Sequence, residues 1–200
     1  MFTGMELAAC PDLAVPYEVM RHIVNVESSH NPYAIGVVGG ELERQPASLD
    51  EAAATARMLD EKGYNYSLGI AQVNRKNLAR YGLTPLDKAF DACANLSAGS
   101  KILAECHSRA GGDWGKAFSC YYSGNFKTGF SDGYVQRVYA SMGKEAPPVI
   151  LTTPRRAVPV TRAEPVSRTA TEPAAAPPSR TGEHHGMPLH RQSGDTAFVF

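Results

Sequence analysis

Residues 17–40 read YEVMRHIVNVESSHNPYAIGVVGG. The stretch describes an amphipathic helix, then Ser28-Ser29-His30-Asn31-Pro32, then a short apolar strand with a Gly39-Gly40 turn. Met20, Ile23 and Val24 recur at helical spacing, and Glu27 continues the same stripe. A carboxylate on the buried face of a helix is costly. Either it finds a partner, or its pKa rises and it keeps its proton. A carboxylic acid held protonated near neutral pH is what glycoside cleavage needs. The stripe position by itself also fits an ion-paired or solvent-reaching helix Glu.

Outward from this stretch, the chain alternates helices with turn signals. Pro16 suits the first turn of a helix running to about Ser28, and Asn31-Pro32 ends it. Residues 33–38 and 41–45 read as a small hairpin across Gly39-Gly40. Ser48-Leu49-Asp50-Glu51 is a capping box that opens an Ala-rich helix to about Lys62, closed by Gly63. An apolar run at 64–74 holds Gly69 and Gln72. A short helix at 75–81 follows, then a helical turn through Phe90. Longer helices are expected from Asn95 to about Ser108, with Leu96, Gly99, Leu103 and Cys106 on the apolar face, and from Trp114 to Ser123, capped by Asp113. A Gly-rich loop at 124–133 leads to a last helix at 134–142. The fold class expected is α+β, mostly helical with a small β-hairpin region.

Composition divides the chain. All nine Tyr, the only Trp and five of the seven Phe precede residue 143, whereas nine of the fourteen Pro follow it. Residues 1–142 are therefore read as the folded domain, long enough for a sizeable core. Residues 143–200, rich in Pro, Ala and Arg, are read as a disordered tail that buries too little apolar surface to offset its chain entropy. The first 142 residues carry 13 Lys/Arg and 15 Asp/Glu, with no basic run interleaved with aromatics, so nucleic acid is not an expected partner. No apolar stretch is long enough to span a membrane.

Four Cys, none in CxxC spacing, argue against a zinc site. An even count fits two disulfides in an oxidising compartment, with four buried thiols as the alternative. Residues 1–9 lack a basic segment and carry too short an apolar run for a signal peptide, so no export signal is visible. His22, His30, His107 and His190 show no metal-ligand spacing, and neither metal nor cofactor is expected.

Five blocks in order now carry a resemblance. They are Glu27-Ser28 with Asn31-Pro32-Tyr33-Ala34; residues 67–74, SLGIAQVN; Asn95-Leu96 with Gly99 and Ile102-Leu103; residues 117–125, AFSCYYSGN; and Tyr134-Val135 with Val138. Together they resemble the lytic transglycosylases of the goose-type-lysozyme-like superfamily, over about residues 15–142. Residues 34–40, Arg44-Gln45-Pro46 and the second and fourth blocks resemble the narrower branch that serves type IV secretion and conjugation systems. The sequence departs from the broad pattern by an insertion of 20–30 residues between the first two blocks, and by Tyr122 where the family usually has Asn.

The resemblance implies a lysozyme-like fold, periplasmic action on peptidoglycan glycan strands, and type IV secretion-channel subunits as partners. It implies Glu27 as general acid, then general base, for cleavage of the β-1,4 bond between N-acetylmuramic acid and N-acetylglucosamine. No second carboxylate lies near the chemistry blocks in a convincing way, since Asp50, Glu51, Asp60 and Glu61 sit on what reads as a solvated helix and Glu41 and Glu43 flank a turn; this favours the one-carboxylate route the family uses. In that route the N-acetyl group assists departure, the muramic C6 hydroxyl attacks, and a 1,6-anhydro end results. Ser28, Gln72, Asn95, Tyr121 and Asn125 are implied substrate-binding residues, with the Tyr121 hydroxyl able to donate to Glu27. Four Cys allow three pairings and the sequence does not choose among them; the pairing adopted is Cys10–Cys93 with Cys106–Cys120. The alternatives are a hydrolytic muramidase on the same fold, or a non-catalytic glycan-binding scaffold of the secretion channel.

Overall fold

The computed structural model describes residues 7–147. Its elements are α1 (Tyr17–Ser28), β1 (Ile35–Val37), α2 (Leu49–Glu61), β2 (Tyr66–Leu68), β3 (Val73–Asn74), α3 (Arg75–Leu78), a 3-10 turn (Leu86–Phe90), α4 (Ala92–Arg109), α5 (Trp114–Ser123), α6 (Thr128–Ser131) and α7 (Tyr134–Ser141). Helices dominate, beside one three-stranded antiparallel sheet of order β1-β2-β3. The α+β class read from the sequence is what the structure shows. No helix among the described residues is long and apolar enough to cross a membrane.

Helix α1 starts after Pro16 and buries Met20, His22, Ile23, Val24 and Glu27. It ends before the Pro32 signal, because Ser29 (φ 50°) and His30 (φ 66°) both adopt left-handed backbone. Asn31 Oδ1 then accepts from the Tyr33 amide at 2.9 Å and steers the chain into β1.

The expected hairpin across Gly39-Gly40 is corrected. Strand β1 pairs with β2, Ile35 opposite Leu68 and Val37 opposite Tyr66, so its partner lies beyond the whole insertion. Residues 41–45 form no strand; only a single Val37–Gly40 bridge marks the turn. The reason is visible at the free edge of β1. The Gln45 side-chain amide accepts from Ile35 N at 2.8 Å and donates to Ile35 O at 3.0 Å, doing there what a neighbouring strand would do. Arg44 meanwhile pairs with Glu51 and holds the segment to α2. The true hairpin is β2–β3, with Leu68 opposite Val73 and a turn at 69–72.

Ser48 caps α2 as expected, accepting from Glu51 N at 3.3 Å, and Gly63 (φ +74°) closes it. Helix α4 begins three residues before the expected start, because Asp91 rather than Asn95 is the cap, its Oδ1 accepting from Ala94 N at 2.8 Å. The segment read as a Gly-rich loop contains α6. There Gly129 lets the backbone lie against Ser119, where a Cβ would come within 2.6 Å of Ser119 Cα.

Helices α4 and α5 pack side by side and are joined by Cys106–Cys120, while Cys10–Cys93 ties the lead-in to the start of α4. The core runs from Leu7 through Met20, Ile23, Ile70, Leu96 and Phe118 to Tyr134 and Val138. The expectation of a disordered tail falls, beyond Pro147, outside the described residues.

Candidate active site

Glu27 sits in the last turn of α1 with only 7% of its surface exposed. Its Oε1 accepts a 2.6 Å hydrogen bond from the Tyr134 hydroxyl. Its Oε2 is buried and has no hydrogen-bond partner among the described residues. Loss of hydration pushes the carboxyl up to about 8 from its ordinary 4.5, against the opposing influence of the Tyr134 bond and of the Arg137 charge. Burial and the neighbouring carboxylate raise the Tyr134 and Tyr121 phenols well above their usual range, so both remain donors. Glu27 is thus a neutral acid at pH 7, with one oxygen held and the other uncommitted.

The remaining expected site residues are placed differently from a row of ligand contacts. Four of them converge on the backbone of the 69–72 turn. Ser28 Oγ lies 2.8 Å from Ile70 O. Asn95 Oδ1 accepts from Ala71 N at 2.8 Å, and its Nδ2 donates to Leu68 O at 2.9 Å and Ala89 O at 2.8 Å. The Tyr121 hydroxyl donates to Ala71 O at 2.7 Å. Gln72 Nε2 donates back to Gly69 O at 2.8 Å and to Ala34 O at 2.9 Å, while its Oε1 is buried without a hydrogen-bond partner among the described residues. Residues of the first, third and fourth sequence blocks therefore clamp the turn that the second block forms.

That turn needs the residues it has. Gly69 has φ +79°, and a Cβ there would lie 2.3 Å from Ala89 O and 2.4 Å from Asn95 Nδ2. Gln72 is itself left-handed, φ 48°. Gly99 of α4 admits the turn from below, since a Cβ there would meet Ala71 Cβ at 2.7 Å and the Tyr121 hydroxyl at 2.9 Å.

Two expectations are corrected. The phenol that donates to Glu27 is Tyr134 of α7, because Tyr121 is fully buried and spends its hydrogen on Ala71 O. Asn95 is a fully buried brace, with no exposed surface and both its amide atoms used by backbone. Asn125 stands apart from this cluster of bonds. It is exposed, and its Oδ1 accepts from Lys127 N and Thr128 N, both at 2.9 Å, opening α6. Tyr134 and Arg137 were missed as site residues. The signal was present: Tyr134 lies on the apolar stripe with Val135 and Val138, and a buried phenol needs an acceptor.

Among the described residues no group of three or more His, Cys, Asp or Glu side chains is arranged to hold a metal. Residues 8–140 match the family model described as the transglycosylase SLT domain. The chain belongs to the transglycosylase SLT family. This SLT chain is 52% identical over 163 residues to the type IV secretion system protein virB1 of Brucella abortus, a match covering 75% of the chain and 68% of the relative. The homologous protein of Brucella suis is 52% identical over 169 residues, 78% of the chain and 68% of the relative. Protein virB1 of Agrobacterium fabrum is 32% identical over 148 residues, 68% of the chain and 58% of that protein. No solved structure matches the SLT chain significantly.

Proposed function

We propose that this protein is a peptidoglycan lytic transglycosylase with Glu27 as its single acid/base, opening the cell wall locally in the periplasm for a type IV secretion apparatus. The observation that carries the reading is the buried Glu27 carboxyl, pushed up to about 8 and held on one oxygen by Tyr134, inside an SLT domain. The names of the relatives support the secretion role.

At neutral pH Glu27 carries a proton. Its uncommitted Oε2 donates that proton to the glycosidic oxygen between N-acetylmuramic acid and N-acetylglucosamine as the bond breaks. The substrate N-acetyl oxygen supports the anomeric carbon as the leaving sugar departs. Glu27 is then an anion, and the 2.6 Å bond from Tyr134 and the nearby Arg137 charge stabilise that form. The carboxylate next removes the proton from the muramic C6 hydroxyl, whose oxygen closes on the anomeric carbon. The product is a 1,6-anhydromuramic end; Glu27 regains its proton and no water is consumed. In this reading Ser28, Asn95 and Tyr121 act by fixing the 69–72 turn, and the fully buried Gln72 closes that turn from within through its bonds to Gly69 O and Ala34 O. Asn125 is proposed to shape the 124–133 segment beside it. The channel subunits of the secretion system are the proposed protein partners.

The test is digestion of purified sacculi by the wild type and by Glu27→Gln, read by mass spectrometry. Anhydro-ended muropeptides from the wild type and none from the variant are expected. Reducing ends carrying one added water would make the enzyme a hydrolytic muramidase. Absence of soluble muropeptides from both, with glycan binding retained, would leave a scaffold.

A further inference from the structure

We infer that Tyr122 is a positioning residue that acts on Glu27 through Tyr134. The inference rests on the reading of Glu27 as the acid/base. Tyr122 lies at the end of α5, half-buried, one residue after the fully buried Tyr121. Its ring stacks on the Tyr134 ring, centroids 4.7 Å apart and planes 18° off parallel. Its own hydroxyl lies 3.3 Å from Asp132 Oδ2. Asp132 is in turn held in place: its amide donates to Thr128 O at 2.9 Å and Ser131 Oγ donates to its Oδ1 at 3.0 Å. A chain of contacts thus runs from the α6–α7 corner through Asp132 and Tyr122 to the phenol that touches Glu27.

The consequence is orientational. A hydrogen bond as short as 2.6 Å weakens steeply when its angle is lost. Tyr134 pivots about its side-chain torsions, and the direction of its hydroxyl depends on what lies against the ring face. A side chain without a ring at position 122 has no flat face to lay there. The Arg137 guanidinium also faces the Tyr134 ring, 5.8 Å from its centroid. The groups that act on the Glu27 charge are then Tyr134 and Arg137 from α7, with Tyr121 from α5 close enough to feel it. Tyr122 is not among these groups; its ring lies against that of Tyr134, one of them. Removing the Tyr122 ring loosens the bond that favours the Glu27 anion, so Glu27 keeps its proton to higher pH.

The experiment uses the full chain, with Tyr122→Ala, Tyr122→Leu, Tyr122→Phe, Tyr134→Phe and the double variant Tyr122→Leu/Tyr134→Phe. The Glu27 carboxyl is followed by carbon NMR of the side chain during pH titration, and glycan cleavage is followed against pH in parallel. Tyr122→Ala and Tyr122→Leu are expected to move the Glu27 midpoint up by roughly half a unit to one unit, and the alkaline limb of activity with it. Tyr122→Phe, which keeps the stacked ring, restores the wild-type midpoint. In the Tyr134→Phe background, Tyr122→Leu adds no further shift, because the bond through which Tyr122 acts is already gone. A wild-type midpoint in a folded Tyr122→Leu variant, or an equal further shift in the double variant, overturns the inference. The NMR midpoint reads it without turnover, so a chain that proved inactive on sacculi would sink the enzyme reading while the positioning of Glu27 was still decided.

Discussion

Tyr134 donates its hydroxyl hydrogen to Glu27 Oε1 at 2.6 Å, across 107 positions of sequence. This one bond joins α7 to α1. It acts on the acid in two opposing ways, since α7 buries Glu27 and so raises its pKa, while the phenol stabilises the charged form and pulls it back. An acid/base that must be neutral in one half of a cycle and charged in the other is served by that balance.

Tyr134→Phe removes the bond and leaves the burial. The Glu27 midpoint should rise above about 8, and the alkaline limb of glycan cleavage should move up with it. The maximal rate should fall about 10-fold, because the anion formed after proton donation loses a charge-assisted hydrogen bond of about 1.5–3 kcal/mol, part of which water replaces. Rate against pH on defined glycan strands checks both. An unmoved limb would show that the bond does not tune Glu27.

Much of this arrangement is legible in the sequence. Glu27 could be found because the stripe Met20-Ile23-Val24-Glu27 has a single polar member, and helical periodicity is a local property. The caps Ser48 and Asp113 were readable for the same reason. What was not legible depends on pairing at a distance. The partner of β1 lies beyond α2, and no local signal at 33–45 says that Gln45 satisfies the strand edge with its side chain. Nor could sequence decide which of two buried tyrosines meets Glu27: Tyr121 and Tyr134 both lie on apolar faces, and only the packing of α5 against the 69–72 turn sends Tyr121 to Ala71 O. The block residues were recognisable as a set, yet their common target, the backbone of that turn, exists only once the chain is folded.

Burial of Glu27 also makes stability depend on pH. The folded midpoint, about 8, lies above the ordinary 4.5 of an exposed Glu. A raised carboxyl pKa means that the native state binds the proton more tightly than the unfolded chain. Its contribution is fully present below about 4.5 and is lost as pH rises through the window to about 8. Glu27→Gln carries no proton to lose. The variant should match the wild type at pH 4 and be more stable than it at pH 8.5, by up to about 5 kcal/mol. Thermal or urea unfolding at the two pH values checks this; a constant difference across the range would place the Glu27 titration elsewhere.

Gly69→Ala tests the turn. The substitution strains a φ of +79° and drives a Cβ to 2.3 Å from Ala89 O, which is backbone and cannot swing away. The turn must shift, and with it the bonds from Asn95, Tyr121 and Ser28. A loss of at least about 3 kcal/mol is expected, since strain and broken buried bonds add. Calorimetry measures it. Gly63→Ala is the control, with a similar φ of +74° but nothing within 4 Å of its Cβ, and should cost about 1 kcal/mol.

Asn95→Ala separates a brace from a substrate contact. The change strands Ala71 N, Leu68 O and Ala89 O in a fully buried place. A loss of about 2–4 kcal/mol in unfolding free energy follows from leaving buried groups unsatisfied. A residue that bound glycan directly would instead raise KM while leaving the unfolding transition in place. Urea unfolding beside kinetics on soluble glycan strands distinguishes the two, and unchanged stability with weakened binding would return Asn95 to the substrate.

The two disulfides differ in the loop each closes, and that difference sets their relative worth. Cys10–Cys93 spans 83 positions and Cys106–Cys120 spans 14. Chain entropy assigns about 4.5 kcal/mol to the longer loop and about 3 kcal/mol to the shorter. The function of the two should run the other way. Cys106–Cys120 joins α4 to α5 immediately beside Tyr121, whose hydroxyl holds the 69–72 turn, whereas Cys10–Cys93 anchors the lead-in to the start of α4. Paired Cys→Ala replacements should therefore separate the two quantities. Loss of Cys10–Cys93 is expected to lower the unfolding midpoint more, and loss of Cys106–Cys120 to lower glycan cleavage more at a temperature where both variants are folded. Unfolding by urea and the rate of muropeptide release measure the two effects, and equal activity losses would detach the shorter disulfide from the turn.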